Sequence, residues 1–418
     1  MSDTPWPRIG WRNLGRYPKR TVLTALGLAS GYFAVVFMVG WSEGITTEMV
    51  ENATSLIGGQ IEMYDAEYRP ERSIYDTIGG REGTDIAALL RAVDGDTAVV
   101  AAAPRVYAGG LVSTGVATSP GMLMGVDIQR EPRLSRFLDA LPAGRLPRAG
   151  RNELLIGEVM AEQIAADLGD ELVVVAPAAD GSLASDLFTL VGLYRTGLVE
   201  FDGLFTVMAM GDLQSLVVLG PGRIHEIAVA TADPWAAEAT ATRLDGSIAA
   251  DGAIEIVPWT TLRPEMVEYV ALAGSFYWIV LLVVYGIAIF GVANTMLMAT
   301  FERRREFAVM LVLGATPLAI VATVLFEALA VGVLSLGIGA GITLPIMVWW
   351  HNAPPDLSWL DGDLTIMGAL LQPSLRVEYN VSMWITAAVL LILTALLAAL
   401  YPALRASRVP PADTLSGL

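Results

Sequence analysis

The chain has 418 residues and a formal net charge of −17, and it is 54% hydrophobic but only 17% charged. Soluble domains are about 25% charged, so this composition indicates membrane spans rather than one large soluble core. The absence of cysteine and the presence of only two histidines, His225 and His351, exclude disulfides, thiolate metal sites and a histidine-based metal cluster. The single lysine, Lys19, has no glycine-rich loop beside it, which excludes a P-loop ATPase.

Four apolar stretches are long enough to cross a bilayer core, which takes about 20 helical residues. We predict transmembrane helices over residues 21–44, 271–300, 317–350 and 382–404. Five basic residues precede the first stretch, as they would in a signal peptide. However, this stretch is too long for a signal peptide and ends in Trp41-Ser42-Glu43, without the small residues of a cleavage site. We therefore predict a retained helix.

The distribution of charge predicts how these spans are oriented. The segments 1–20, 301–316 and 405–418 together hold ten basic residues and four acids, whereas residues 45–270 hold 33 acids and 15 arginines. Basic residues accumulate on the cytoplasmic side of a membrane. We therefore expect a cytoplasmic N-terminal segment, cytoplasmic loop and cytoplasmic tail, with the acidic domain and the loop at 351–381 outside.

The segment 45–270 is predicted to be an α+β domain of two lobes. Alternating or buried-strand patterns, typical of β-structure, occur at 60–64, 98–103, 172–176, 188–193 and 224–231, and helical patterns occur at 85–93, 158–168 and 234–244. A run rich in Pro, Gly and Arg predicts a surface loop at 141–151. No EF-hand calcium motif is present in the sequence, so we interpret the acidity as a solvated surface.

Small residues recur at helical spacing inside the predicted spans. They allow close approach of helices, either within one bundle or at a dimer seam. The residues concerned are Gly27, Gly31, Gly337, Gly339 and Gly341.

A family resemblance rests on residues 300–317, which read TFERRREFAVMLVLGATP. This stretch resembles the coupling segment of FtsX-like ABC transporter permeases, the superfamily that includes the lipoprotein-releasing LolC/LolE and the macrolide-exporter MacB proteins. Val312-Leu313 departs from that family's frequent Arg-Ala. The residues that fit the family pattern are Glu302, Arg303, Glu306, Phe307, Gly314 and Ala315.

Further stretches extend the resemblance over almost the whole chain. Residues 11–14 with 20–24 are similar to the family's N-terminal entry, and 401–408 with 411–415 are similar to its C-terminal signature. In the outer domain, the stretches 59–62, 124–127, 156–158, 168–170 and 192–197 resemble the lipoprotein-releasing branch. The implied fold is a membrane α-helical bundle of four transmembrane helices, one plus three, with a large α+β extracytoplasmic domain between helices 1 and 2.

The resemblance implies a permease that works with two copies of an ABC ATPase and with a second permease copy or paralogue. ATP and Mg would be bound by the ATPase, and this chain would hold no cofactor. Phe301, Arg305 and Ala308 are expected on one helical face that docks in the ATPase, with Glu302 and Glu306 pairing with nearby arginines. Alternatively, the charges fix topology by binding anionic lipid. The expected coupling residues are Phe301, Glu302, Arg303, Arg305, Glu306, Phe307 and Ala308.

The lipoprotein branch further implies an apolar substrate cavity between the first two helices. Packing and lipid contact are the alternative roles of the matching residues, which are Phe33, Phe37, Met38, Trp41, Phe276, Tyr277 and Val280. Glu327 lies inside the third predicted span, where an ionisable residue is a functional candidate. We expect it to form a structural bond across the bundle, with proton transfer as the alternative.

Together these features predict a multi-pass protein of the bacterial cytoplasmic (inner) membrane, with both termini cytoplasmic. Its expected function is ATP-driven extraction or export of lipoprotein or another amphiphile, aided by membrane lipid and a possible periplasmic carrier or adaptor. The alternative is an FtsX-like regulator of a cell-wall hydrolase or sensor. No nucleic-acid partner is expected. A membrane enzyme is disfavoured, because no nucleophile elbow or paired-carboxylate motif stands out.

Overall fold

The structure is a computed structural model that describes residues 18–55, 58–69, 71–79, 84–138, 141–248, 253–355, 364–366, 369–371 and 376–410. It divides into two compact units. The membrane unit comprises Met1–Thr46, Val270–Trp359 and Ser374–Leu418, and the outer unit comprises Thr47–Tyr269 and Leu360–Pro373. The similarities at residues 11–14 and 411–415 lie outside the described residues.

The elements follow in chain order. They are α1 Pro18–Ser55, β1 Ile61–Asp65, α2 Ile86–Asp94, β2 Val99–Ser113, β3 Thr118–Val126, β4 Ala143–Gly144, β5 Glu153–Gly157, α3 Glu158–Ile164, β6 Glu171–Pro177, β7 Leu183–Tyr194, α4 Val199–Leu204, β8 Phe205–Ala209, α5 Met210–Leu216, β9 Glu226–Thr231, α6 Ala237–Ile248, β10 Ile254–Pro258, α7 Trp259–Leu262, α8 Pro264–Glu302, α9 Arg304–Val312, α10 Pro317–Asn352, β11 Leu364–Ile366, β12 Ala369–Leu371 and α11 Val381–Ala406. Short 3₁₀ turns lie at Glu131–Arg133, Arg136–Leu138 and Pro234–Ala236.

Among the described residues, four helices are long and apolar enough to cross a membrane: α1, α8, α10 and α11. One precedes the sheet of the outer unit and three follow it. α1 and α8 reach well beyond the apolar stretches at 21–44 and 271–300. The backbone hydrogen bonds of a helix can continue beyond the hydrocarbon core. The length of an apolar stretch therefore gives only the minimum length of its helix. Two of the starts are capped by side chains, because Thr316 accepts from the Ala319 amide at 3.3 Å and Asn380 accepts from the Met383 amide at 2.9 Å.

Close helix contacts hold the membrane unit together. A Cβ at Gly339 of α10 would lie 3.3 Å from the backbone of Ala29 and 3.2 Å from the ring of Tyr32, both in α1. The Tyr285 hydroxyl of α8 donates to the Ala387 carbonyl of α11 at 2.8 Å. In contrast, Gly27, Gly337 and Gly341 face open space. Some of the small residues therefore allow helices to pack closely inside the bundle, and others lie on its exposed surface.

The segment 376–380, which leads into α11, lies against α1. The Glu378 amide donates to the Gly40 carbonyl at 2.9 Å, and the side chain of Val377 is fully buried. A Cβ at Gly44 would lie 2.1 Å from the Arg376 carbonyl oxygen, so only glycine permits this approach.

The outer unit is built on one mixed sheet. Its strand order is β10-β1-β9-β2-β3-β8-β5-β7-β4, and β6 pairs with both β2 and β7. The pairs β3/β8 and β5/β7 are parallel, and the others are antiparallel. Hydrogen bonding thus joins ten strands of the described residues into a single sheet, and the prediction of two lobes stays a prediction. A separate hairpin, β11–β12, belongs to the loop at 351–381.

Several elements differ from their predicted bounds for local reasons. The helix predicted at 158–168 ends at Ile164, because Ala165 adopts a left-handed φ of 51°. The strand predicted at 98–103 continues to Ser113, where it pairs with β3 and β6. The loop predicted at 141–151 contains the short strand β4, which pairs with β7.

Candidate functional site: the segment between α8 and α10

The segment between α8 and α10 begins with a break in the helix. α8 ends at Glu302 and α9 begins at Arg304, and Arg303 between them has φ −102° and ψ 14°, outside the helical region. Phe301 and Arg305 therefore lie on two different helices. The expected spacing of one continuous helix through 301–309 does not apply.

Arg303 joins this segment to α10. Its side chain is only 8% exposed, and Nη1 donates to Oε2 of Glu327 at 2.8 Å. Its Nε donates to Oε2 of Glu306 in α9 at 3.0 Å, and its guanidinium lies 5.1 Å from the ring centre of Phe307. Charge-assisted bonds that are shielded from water are stronger than exposed ones. The bond that Glu327 makes across the bundle therefore holds the start of α9.

The inner side of α9 is anchored by apolar packing. Phe307 and Ala308 are fully buried. Phe307 belongs to a cluster that includes Ile320 and Val324 of α10 and Ala403 of α11. Full burial of a phenylalanine contributes about 1.5–3 kcal/mol relative to exposure. Phe307 and Ala308 are thus anchors of α9.

The outward side of α9 consists of Arg305, Val309 and Val312. These residues are spaced i, i+4 and i+7, which places them on one helical face, and all three are exposed. The prediction that Phe301, Arg305 and Ala308 share a docking face is therefore wrong, because Ala308 points inward. We call the set Arg305, Val309 and Val312 the outward face of α9.

The two remaining coupling candidates lie at the end of α8. Glu302 is exposed, and Phe301 is 42% exposed. The guanidinium groups of Arg304 and Arg405 lie over the Phe301 ring, at 5.9 Å and 4.8 Å from its centre. Phe301 therefore joins the end of α8 to the end of α11.

The structure separates the seven residues predicted to line a substrate cavity. Phe33 stacks on Phe37 at 5.7 Å, and Phe37 meets Trp350 of α10 edge-on at 4.8 Å. Tyr277 is buried, and Val280 and Phe33 are half-buried. The three that remain, Met38, Trp41 and Phe276, are exposed. Part of the set therefore packs inside the bundle, and part forms its apolar surface.

Sequence reasoning missed a buried ion cluster in the outer unit. Arg105 of β2 has no exposed surface, and it donates to Glu131 through Nε at 3.1 Å and to Glu226 of β9 through Nη1 at 3.3 Å. Ser135 accepts from its Nη2 at 2.9 Å. The partners are 26 and 121 residues away from Arg105 along the chain, so no local motif signals the cluster. The one signal in the sequence is that Arg105 stands in the mostly apolar stretch 98–108, where a buried charge needs a partner.

Burial governs ionisation near this cluster. Burial, and next the charge of Glu62, raise the pKa of Glu226 to about 8. Burial likewise lowers the pKa of the neighbouring His225 to about 4, against the opposing effect of its bond to the Ile74 carbonyl. Within the described residues, no group of three or more His, Cys, Asp or Glu side chains is arranged to hold a metal ion.

Comparison with known proteins adds two family matches. The model of the MacB-like periplasmic core domain matches residues 21–247, more than half of the chain, and that of the FtsX-like permease C-terminal domain matches residues 278–411. The second match contains the whole of α9.

Curated relatives match along most of their length. The lipoprotein-releasing system transmembrane protein LolC of Neisseria meningitidis serogroup B is 24% identical over 413 residues, which cover 94% of this chain and 93% of the relative. The corresponding protein LolE of Haemophilus influenzae is 23% identical over 319 residues, covering 73% and 74%. The periplasmic region of MacB from Actinobacillus actinomycetemcomitans superposes with a TM-score of 0.36 at 15% identity, covering 52% of this chain and 97% of that one. A TM-score this low does not establish a shared fold.

Proposed function

Because the chain belongs to the family of FtsX-like, MacB-type ABC transporter permeases, we propose that it converts ATP hydrolysis by a separate ATPase into motion of its outer unit. The motion extracts or exports lipoprotein or another amphiphile. The named relatives LolC and LolE support lipoprotein as the cargo. The protein then lies in the cytoplasmic membrane, with both termini and the segment 301–316 on the cytoplasmic side.

The two-sided construction of α9 carries this proposal. Its inner side is fixed to α10 and α11 by Phe307 and by the bonds of Arg303 to Glu306 and Glu327. Its outward face presents Arg305, Val309 and Val312, an arginine beside two apolar side chains, to a partner. Because the inner side of α9 is anchored to α10 and α11, a force that a partner applies to the outward face moves the bundle together with α9.

Transport requires that the nucleotide states of the ATPase favour different conformations of the permease, since a ligand shifts an equilibrium only by its differential affinity. In this proposal, ATP closes an ATPase dimer and brings two α9 helices together, one from each permease subunit. α1 and α8 both continue from the membrane unit into residues of the outer unit. These helices carry the displacement outward.

The test is co-purification of the ATPase with tagged chain from native membranes in mild detergent, followed by an ATP hydrolysis assay. We expect Val309→Asp to lower both ATPase recovery and ATPase activity at least tenfold, because it places a charge in the apolar contact. Val116→Asp is the matched control, since Val116 is 92% exposed in the turn between β2 and β3. Equal recovery of ATPase with both variants would exclude the outward face of α9 as the docking surface.

A further inference from the structure

A basic groove lies where the end of α8 meets the end of α11. Its volume is about 420 Å³, and its lining includes Phe301, Arg304, Tyr401, Leu404, Arg405 and Arg408. Ligand pockets in proteins span about 300–1,000 Å³, so this groove can hold a small headgroup. None of its lining residues is acidic.

Three arginines, Arg304, Arg405 and Arg408, give the groove its positive charge. Arg304 and Arg405 both lie within 6 Å of the ring centre of Phe301, and Nη1 of Arg405 donates to the Tyr401 hydroxyl at 3.1 Å. In the part of the chain that the structure describes, no carboxylate forms a salt bridge with Arg304, Arg405 or Arg408, although Arg303 beside them has two. Three positive charges that line one groove attract an anion into it.

The surroundings of the groove indicate the kind of anion. Leu397, Leu400 and Leu404 on α11 are exposed apolar side chains that lead along the helix to the groove. Guanidinium groups match the geometry of phosphate oxygens and bind them bidentately. A phosphate that carries acyl chains can therefore occupy the groove with its headgroup and lie along α11 with its chains. Basic pockets between transmembrane helices bind anionic lipid headgroups in this way.

We propose that this groove is a binding site for the headgroup of an anionic phospholipid. The site differs from the outward face of α9, because Arg305, Val309 and Val312 are not among its lining residues. Sequence reasoning treats ATPase docking and lipid binding as alternatives for one charged segment. In our two proposals they take different surfaces: the ATPase docks on the outward face of α9, and the lipid binds in the groove between the ends of α8 and α11.

The test is native mass spectrometry of the purified, delipidated full chain after addition of phosphatidylglycerol or phosphatidylcholine. We expect wild-type chain to retain one tightly bound phosphatidylglycerol, and Arg405→Gln and Arg408→Gln each to weaken that binding about tenfold. Arg305→Gln is the matched control, since it removes the same charge from the same region outside the groove, and it should bind like wild type. Soluble glycerol phosphate should not displace the lipid.

Three results would overturn the proposal. These are undiminished phosphatidylglycerol binding by both groove variants, equal retention of phosphatidylcholine by wild type, and displacement of the lipid by glycerol phosphate, which would assign the groove to a soluble phosphate. A second measurement uses only wild-type chain and so does not depend on variant folding. Photoactivatable phosphatidylglycerol should crosslink to residues 401–410, and crosslinks confined to other segments would also contradict the site.

Discussion

Arg105 in the outer unit and Arg303 in the membrane unit each bind two glutamates, but the two clusters differ in burial. Arg105 and Glu131 have no exposed side-chain surface, whereas Glu306 beside Arg303 is 38% exposed. The Arg105 cluster joins β2 to β9 and a 3₁₀ turn inside one sheet. The Arg303 cluster joins two helices across the break at the end of α8. The same arrangement of charges is therefore fully buried within one sheet in the outer unit, but partly exposed beside a helix break in the membrane unit.

The largest expected effect is that of Arg105→Met. Removal of the arginine leaves Glu131 buried without its cation, and loss of one partner from a buried ion pair costs about 3–5 kcal/mol. Hydrogen exchange of the β2 and β9 amides in the full-length protein should show a fall of that size in the free energy of opening.

The control for this experiment is Arg145→Met. Arg145 makes two bonds to Glu153, at 2.6 Å and 2.7 Å, but its side chain is 43% exposed. Exposed ion pairs contribute little to stability, so the change should be far smaller. If both substitutions had the same effect on exchange, burial would not be the reason for the importance of Arg105.

The next expected effect concerns Arg303→Met. This substitution removes the bonds to Glu306 and Glu327 but leaves the outward face of α9 intact. ATPase should therefore still co-purify, while cargo release per ATP hydrolysed falls about tenfold. Arg303→Lys keeps one charge but loses the forked geometry, so it should give an intermediate value. Loss of ATPase binding with Arg303→Met would instead make the cluster part of the docking surface.

The smallest expected effect is a dependence of outer-unit stability on pH. Glu226, with a pKa raised to about 8, binds its proton more tightly in the folded state, so stability falls as pH rises toward 8. His225, with a pKa lowered to about 4, has the opposite effect, so its contribution to stability rises with pH. This rise occurs mainly below the pKa of about 6.5 that His225 has in the unfolded state. Between pH 6.5 and 8 the effect of Glu226 is the larger of the two, and it amounts to about 2 kcal/mol.

Exchange of the outer-unit amides at pH 6.5, 7.2 and 8 measures this dependence. The outer-unit stability of the Glu226→Gln variant should not change over the same pH range, because the amide does not titrate. A wild-type protein whose outer unit gains stability between pH 6.5 and 8 would contradict the assignment of a raised pKa to Glu226.

The sequence allowed the parts of the fold that depend on local pattern to be predicted. Long apolar runs give the four helices, because the cost of exposing peptide groups to lipid leaves few alternatives. The helix ends are less predictable, since α1 continues through polar residues to Ser55 once it has left the apolar stretch. The motif at 300–317 marks the position of α9 but does not show that the helix breaks at Arg303.

The remainder depends on contacts between residues that are distant in the chain. Ala308 faces inward because Ile320, Val324 and Ala403 form a pocket for its neighbour Phe307, and nothing near position 308 specifies that pocket. The bond between Arg303 and Glu327 spans 24 residues and the connection between two helices. The periodicity of apolar residues shows which side of a helix or strand is buried. The residues that it packs against are determined by the tertiary structure.

The most direct test of the account is hydrogen exchange of the assembled permease and ATPase in two nucleotide states, with ADP and with a non-hydrolysable ATP analogue. We predict that the ATP analogue changes exchange in strands of the outer unit of the wild-type protein. Arg303→Met should abolish that change while the ATPase stays bound. Identical exchange of the wild-type outer unit in both nucleotide states, or a nucleotide response that survives Arg303→Met, would contradict transmission through the anchored helix α9.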